Sequence, residues 1–257
     1  MADTYTASKT ILIDAKSTKI IAHRGLSGIE CENTIAAFIA AGNRNYFGIE
    51  TDVHITADLE FIIIHDDNTN RVSNTKMPVE SSSYEQLRSI VLNDKDGSQR
   101  IDLHLPSLSE YLKTCKRYEK KAVLEIKNRM PQSQIERILN IVKDEYSIEN
   151  VIFISFDFEN LVDIRKIHSD ANIQYLCDKA DDITIEELKK YNFDIDIWEG
   201  FLTQDLIQKL HDNGILVNCW TCDNKNRAEQ LINWNVDFIT TNILQAKEKT
   251  DLRLLSP

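Results

Sequence analysis

The chain has 257 residues, 42% hydrophobic and 28% charged, with a formal net charge of −11; it is long enough for one large domain with a sizeable core. The acidic balance excludes nucleic acid as a partner, since backbone binding needs a concentrated basic footprint, whereas a small phosphorylated substrate needs only a few local cations. No apolar run reaches membrane-spanning length, Met1–Tyr5 carry no basic segment before an apolar core, and five scattered cysteines suit free thiols, so the expected location is cytoplasmic.

In chain order, Ile11-Leu12-Ile13 is a short apolar run suited to a strand closing the bottom of the fold. Lys19-Ile20-Ile21-Ala22 reads as a buried strand that runs into His23-Arg24-Gly25. Asn33 is a good cap for the helix that follows, with Ile35, Phe38, Ile39 and Gly42 as its apolar face. The stretch 47–54 has strand composition. Further strands are expected at 122–127, 151–156, 173–176, 194–197, 215–220 and 236–240. Helical patterns follow at 133–145, 158–168, 184–191, 203–212 (closed by Gly214) and 225–234.

One segment breaks the rhythm. Residues 54 to about 104 hold Phe61-Ile62-Ile63-Ile64-His65-Asp66, a polar loop and a short helix near 83–91, before a capping box at Ser107-Leu108-Ser109-Glu110. Eight strands, each followed by a helix or candidate helix, predict a single-domain (β/α)₈ TIM barrel over 1–257 with a small insertion after the second strand. A doubly wound open sheet is the alternative. The insertion is expected over the strand C-termini, where barrel active sites lie.

The chemistry concentrates at those termini. Glu50, Asp52 and His54 alternate along one strand and so share a face; a buried carboxylate pair would repel unless a cation sat between its members. With Glu125 from the next strand, Glu50 and Asp52 make a hard oxygen-donor set suited to Mg²⁺ or Ca²⁺. Arg24 and Lys127 add positive charge fit for a phosphate ester. His23 and His65 offer two imidazoles for proton transfer, and Trp220 ends the seventh strand. These are the parts for metal-assisted phosphodiester cleavage. His54, one step further along, reads as a supporting or loop residue, and His104, His168 and His211 as solvated. Cys219-Trp220-Thr221-Cys222 has the spacing of a redox pair but straddles a strand end rather than opening a helix, and zinc is less favoured still.

In order along the chain, His-Arg-Gly at 23–25, Glu-Asn-Thr at 32–34, Glu-x-Asp-Val at 50–53, His-Asp at 65–66, Leu-Pro-Ser-Leu-x-Glu at 105–110, Glu-Ile-Lys at 125–127, Ser-Phe-Asp at 155–157, Trp-Thr at 220–221 and Asp-x-Ile-Thr at 237–240 resemble the signature of the glycerophosphodiester phosphodiesterases. The resemblance spans about residues 19 to 244 and implies a divalent cation (Mg²⁺ or Ca²⁺, with Mn²⁺ a third candidate) on Glu50, Asp52 and Glu125. It also implies His23 and His65 as the acid–base pair, Arg24 and Lys127 at the phosphate, and Trp220 lining the site. The implied reaction releases sn-glycerol 3-phosphate and an alcohol. Two departures, Cys31 where proline is usual and the loop Asp67-Asn68-Thr69-Asn70-Arg71-Val72, leave these residues in place and bear on the insertion's shape. A lysophospholipase D or phospholipase C-like enzyme on the same scaffold is the alternative, and a non-catalytic phosphodiester-binding protein a further one.

Overall fold

The computed structural model describes residues 8–248, so the reading of Met1–Tyr5 lies outside the described residues. Eight parallel strands form the barrel: β1 (Lys19–Ala22), β2 (Gly48–Ile55), β3 (Lys121–Ile126), β4 (Val151–Ser155), β5 (Asn172–Cys177), β6 (Asp194–Trp198), β7 (Val217–Trp220) and β8 (Phe238–Thr241). Each pairs with its sequence neighbour, and β8 pairs with β1 as β1 does with β2. The sheet is therefore closed, and the open-sheet alternative is excluded.

Seven helices follow the first seven strands: α1 (Ile35–Gly42), α2 (Leu108–Arg117), α3 (Gln132–Glu145), α4 (Phe158–Ile167), α5 (Asp182–Tyr191), α6 (Gln204–Asp212) and α7 (Lys225–Asn233). Among the described residues no helix follows β8. Instead Ile11–Ile13 pairs in parallel with Leu244–Ala246, and this ribbon packs on β1 and α7. Helix starts follow local chemistry. Ser107 and Glu110 form the expected capping box of α2, a device contributing about 1 kcal/mol.

The first helix corrects two expectations. Its cap is Thr34, whose hydroxyl accepts from the Ala37 N–H, while Asn33 is buried with its side chain turned into the barrel mouth. Its buried face is Ala37, Phe38, Ala41 and Gly42, and Ile39 is exposed. Two kinds of core result. A large apolar layer lies between strands and helices, and a small one inside the barrel is built from Ile21, Val123, Ile152, Ile154, Leu176 and Phe238.

The excursion after β2 begins with Phe61–Ile63 folding back antiparallel on the end of β2. Around it Ile62, Ile64, Val79, Leu87, Ile90, Leu92, Leu103 and Leu105 form their own small core. Polar bonds fasten it to the mouth: Asn128, just past β3, donates to Asp67 and Glu80, and Arg100 pairs with Glu30 of the loop after β1.

Side chains facing the barrel axis stack in layers of four from alternate strands. The register puts Glu50, Ile154, Asp196 and Thr240 in one layer and His23, Glu125, Leu176 and Trp220 in the next. Asp52, Phe156, Trp198 and Asn242 come above these.

Candidate active site

The turn after β1 sets the first residues. Arg24 and Gly25 both take left-handed backbone (φ +53° and +75°), and a Cβ at residue 25 would lie 2.7 Å from the Ala37 backbone, so only glycine fits. This reversal points the Arg24 N–H at Glu50 Oε2 (2.7 Å). It also carries the guanidinium to Glu32 Oε1 (2.9 Å) and within 3.5 Å of Asp52 Oδ2. His23 Nδ1 lies 2.8 Å from Asn242 Oδ1.

Glu50, Asp52 and Glu125 each offer a carboxylate oxygen within 4.8 Å of the other two, and all three are buried. Asp52 and Glu125 are direct register partners across β2 and β3. Burial, then the charges of Asp52 and Glu125, push Glu50 well above its ordinary value. Burial also raises Asp52, but Arg24, Lys127 and His65 together with the Asn33 amide (2.7 Å to Oδ2) hold it well below the usual carboxylate range. Glu125 is pushed up to about 7 by burial and Asp52, against Lys127, whose amine sits 2.8 Å from Glu125 Oε1 and 3.5 Å from Asp52 Oδ1. Asp52 Oδ1 is buried without a hydrogen-bond partner. Three crowded, buried carboxylates with an unsatisfied oxygen suit a hard divalent cation on oxygen ligands.

His65 arrives from the insertion, just past Phe61–Ile63. Its Nδ1 lies 2.6 Å from Asp66 Oδ1. Arg71 grips both carboxylate oxygens of Asp66 (2.8 and 3.0 Å) and both of Glu32 (2.5 and 2.9 Å). One ion network therefore runs from Arg24 through Glu32, Arg71 and Asp66 to His65. His54 is fully buried, with Nε2 3.2 Å from the His65 carbonyl and Nδ1 3.2 Å from Glu80, which makes it a brace between β2 and the insertion.

The opposite side of the mouth is aromatic. Trp220 is half-buried, donates from Nε1 to the Asp196 carbonyl (3.3 Å) and meets Phe156 edge to face at 5.5 Å. Phe156 and Trp198 are 45% and 47% exposed. A Cβ at residue 200 would lie 2.4 Å from the Trp198 ring, so the glycine there lets the indole lie over the backbone. Beneath, the Asp196 side chain is buried with Oδ1 unpartnered.

The structure thus gathers His23, Arg24, Glu50, Asp52, His65, Glu125 and Lys127 on one side of the mouth and sets Trp220 across from them. Asn33, Asp66, Arg71, Asn242 and Asp196 also touch or underlie this site, yet the sequence reading assigned them no part in it. Asp194 and Asp196 alternate in an apolar strand just as Glu50 and Asp52 do, a signal that could have found Asp196. Three histidines expected in solvent are instead half-buried: His104 Nδ1 faces the Ile90 carbonyl, His211 bonds Asp237, and His168 Nδ1 is buried without a partner. All five cysteines are free. Cys219 and Cys222 are buried, which pushes Cys222 up to about 12 and Cys219 well above its ordinary value, the reverse of an activated thiol.

A family model described as "Glycerophosphoryl diester phosphodiesterase family" matches residues 23–245. Among curated relatives, the Bacillus subtilis protein YhdW is 30% identical, covering 87% of this chain and 93% of its own length. A protein named glycerophosphodiester phosphodiesterase from Caldanaerobacter subterraneus subsp. tengcongensis is 29% identical over 88% and 94%. The same fold is found in an Oleispira antarctica phosphodiesterase solved with the product sn-glycerol-3-phosphate, at a TM-score of 0.81 and 21% identity, covering 90% of this chain and 96% of that one. No helix among the described residues is long and apolar enough to cross a membrane. By its sequence and its fold, this chain belongs to the glycerophosphoryl diester phosphodiesterase family.

Proposed function

We propose that this protein hydrolyses small glycerophosphodiesters to sn-glycerol 3-phosphate and an alcohol. The observation that carries the reading is the convergence of three buried carboxylates with Arg24, Lys127 and two imidazoles at the strand C-termini. Glu50, Asp52 and Glu125 would hold one Mg²⁺ or Ca²⁺, which when bound supplies positive charge and Lewis-acid polarisation at the phosphoryl oxygens. Arg24 and Lys127 bind and orient the phosphate. His23 and His65 move protons, one toward the leaving alkoxide and one from the attacking oxygen nucleophile, with one water consumed in the overall hydrolysis. His65 faces the Asp66 carboxylate at Nδ1 and is assigned here as the proton donor. His23 faces an amide oxygen there, which suits it to accept. Trp220 and Phe156 flank the carbon skeleton. Five free thiols fit a reducing, cytoplasmic setting.

The exposed rings of Phe156 and Trp198 favour one second reading, a diester with an apolar substituent such as a lysophospholipid. The test follows glycerol 3-phosphate release from glycerophosphocholine by chelator-stripped protein, with and without Mg²⁺, Ca²⁺ or Mn²⁺. Metal-restored turnover, lost in His23→Ala and Glu50→Ala, is the expected result. Turnover of a lysophospholipid alone would move the assignment to the lipid substrate. No turnover of either class, with metal bound, would leave a binding role.

A further inference from the structure

The residues around His23 form a chain of hydrogen bonds whose direction can be read atom by atom. Asp223, in the loop between β7 and α7, accepts from three groups at the end of β8: the Thr241 hydroxyl (2.8 Å), the Asn242 backbone N–H (2.7 Å) and the Asn242 Nδ2 amide (2.6 Å). A carboxylate only accepts, so the NH₂ end of the Asn242 side chain must face Asp223. The carbonyl end then faces His23 Nδ1 at 2.8 Å and the Ser27 hydroxyl at 2.6 Å. An amide oxygen also only accepts, so the hydrogen bond to His23 exists only when Nδ1 carries the proton. The lone pair of a neutral ring is then left on Nε2.

We infer that Asp223 and Asn242 are positioning residues that hold His23 in the Nδ1-protonated tautomer and so present Nε2 as the proton acceptor. The inference rests on the reading above that His23 takes part in proton transfer. Neither residue touches the carboxylate cluster, so each acts through His23. The other charged groups around the ring, Arg24, Asp52 and Glu32, act on its charge rather than on which nitrogen bears the proton. The arrangement differs from that of His65, whose Nδ1 faces a carboxylate directly. The two imidazoles are thus oriented alike and biased differently.

The test uses the full chain with Mg²⁺ and two readouts, the ¹⁵N resonances of the His23 ring and steady-state turnover of glycerophosphocholine. Wild type is expected to show a protonated Nδ1 and a bare Nε2. Asp223→Asn frees the Asn242 amide to turn, so the tautomers should mix and kcat fall about 10- to 100-fold, with KM changed less than about threefold. Asn242→Asp sets two carboxylates against each other and should lower kcat similarly. The reciprocal double variant Asp223→Asn/Asn242→Asp restores an accepting oxygen at Nδ1 held by an amide donor. It should recover the wild-type tautomer and most of kcat, a rescue that mere damage to the loop would not give. A bare Nδ1 in wild type, or an unchanged tautomer and kcat in both single variants, would overturn the inference. Failure of wild type to turn over any diester would sink the proposed function instead, and the ring resonances would still decide the tautomer claim.

Discussion

The mouth of this barrel has two unlike halves. Strands β1 to β3 and the insertion place Arg24, Glu50, Asp52, Glu125, Lys127 and two imidazoles around a few buried carboxylate oxygens. Across the same layers, β4, β6 and β7 present Phe156, Trp198 and Trp220. Asp52 shares its layer with Trp198, and Glu125 shares its layer with Trp220. A phosphodiester has the same division, a charged centre with carbon on either side. Burial and neighbouring carboxylates raise Glu50 and Glu125, whereas Arg24 and Lys127 outweigh burial and lower Asp52. Opposed shifts of this kind are concentrated at functional sites. The aromatic side carries no charge on its rings and offers shape and apolar surface.

If the halves divide labour this way, the largest effects belong to the carboxylates. Glu50→Gln and Asp52→Asn should each lower turnover by at least about 10³-fold, and both should abolish the rise in Tm that Mg²⁺ gives wild type. Calorimetry with and without the ion checks the second point, where Mg²⁺ at 100 times its Kd should add about 2.7 kcal/mol. Full turnover by either variant in chelator would break the assignment of this half. His65→Ala should cost about 10²- to 10⁴-fold in kcat yet keep the Mg²⁺-dependent shift, which separates proton transfer from ion binding.

The ionic half was the more legible in the sequence, for a physical reason. Charges at every second position of a strand contradict its apolar composition, so Glu50 and Asp52 stand out, and strand–helix alternation then fixes which ends meet. What escaped depends on contacts made far along the chain or on sites that mimic local rules. Asn33 has the chemistry of a cap, and tertiary bonding to Asp52 and Thr51 overrides it. Asp223 and Asn242 become neighbours of His23 only because β8 closes against β1. Ile39 fits a helical stripe, but α1 packs through Ala37, Phe38, Ala41 and Gly42 and leaves it exposed. Of the ribbon that follows β8 among the described residues, the strand Ile11–Ile13 was legible as an apolar run, whereas its partner Leu244–Ala246, three residues long, has no periodic signature.

Smaller effects should mark the aromatic half. Trp220→Ala removes one apolar wall, and KM for glycerophosphocholine should rise roughly tenfold while kcat stays within about threefold, equivalent to about 1.4 kcal/mol of uniform binding. Phe156→Ala should change KM less than Trp220→Ala for small diesters. A larger KM effect of Phe156→Ala on a lysophospholipid than on glycerophosphocholine would show that the exposed rings serve an apolar substituent. A fall in kcat as large as that of His65→Ala would contradict the division itself.

The smallest expected effect concerns acid stability, which the ionic half should dominate. Burial raises the Glu32 carboxyl, but its bonds to Arg71 and Arg24 prevail and hold it at about 2, below the ordinary value of 4.5. A carboxyl with a depressed folded pKa adds stability that is fully present above its unfolded value. That stability is lost as pH falls through the window from about 4.5 to about 2, because the unfolded chain takes up the proton first. Glu32→Gln should therefore lower the urea midpoint at pH 7 and flatten its fall between pH 4.5 and 2. Arg71→Gln should do the same, since it removes the leading partner, and the two changes should add to less than their sum because they break one network. Urea titrations of both variants and the double variant at several pH values would decide this. Full additivity with an unchanged acid slope would mean that Arg24, Glu32, Arg71 and Asp66 are separate surface pairs, leaving His65 held by Asp66 and His54 alone.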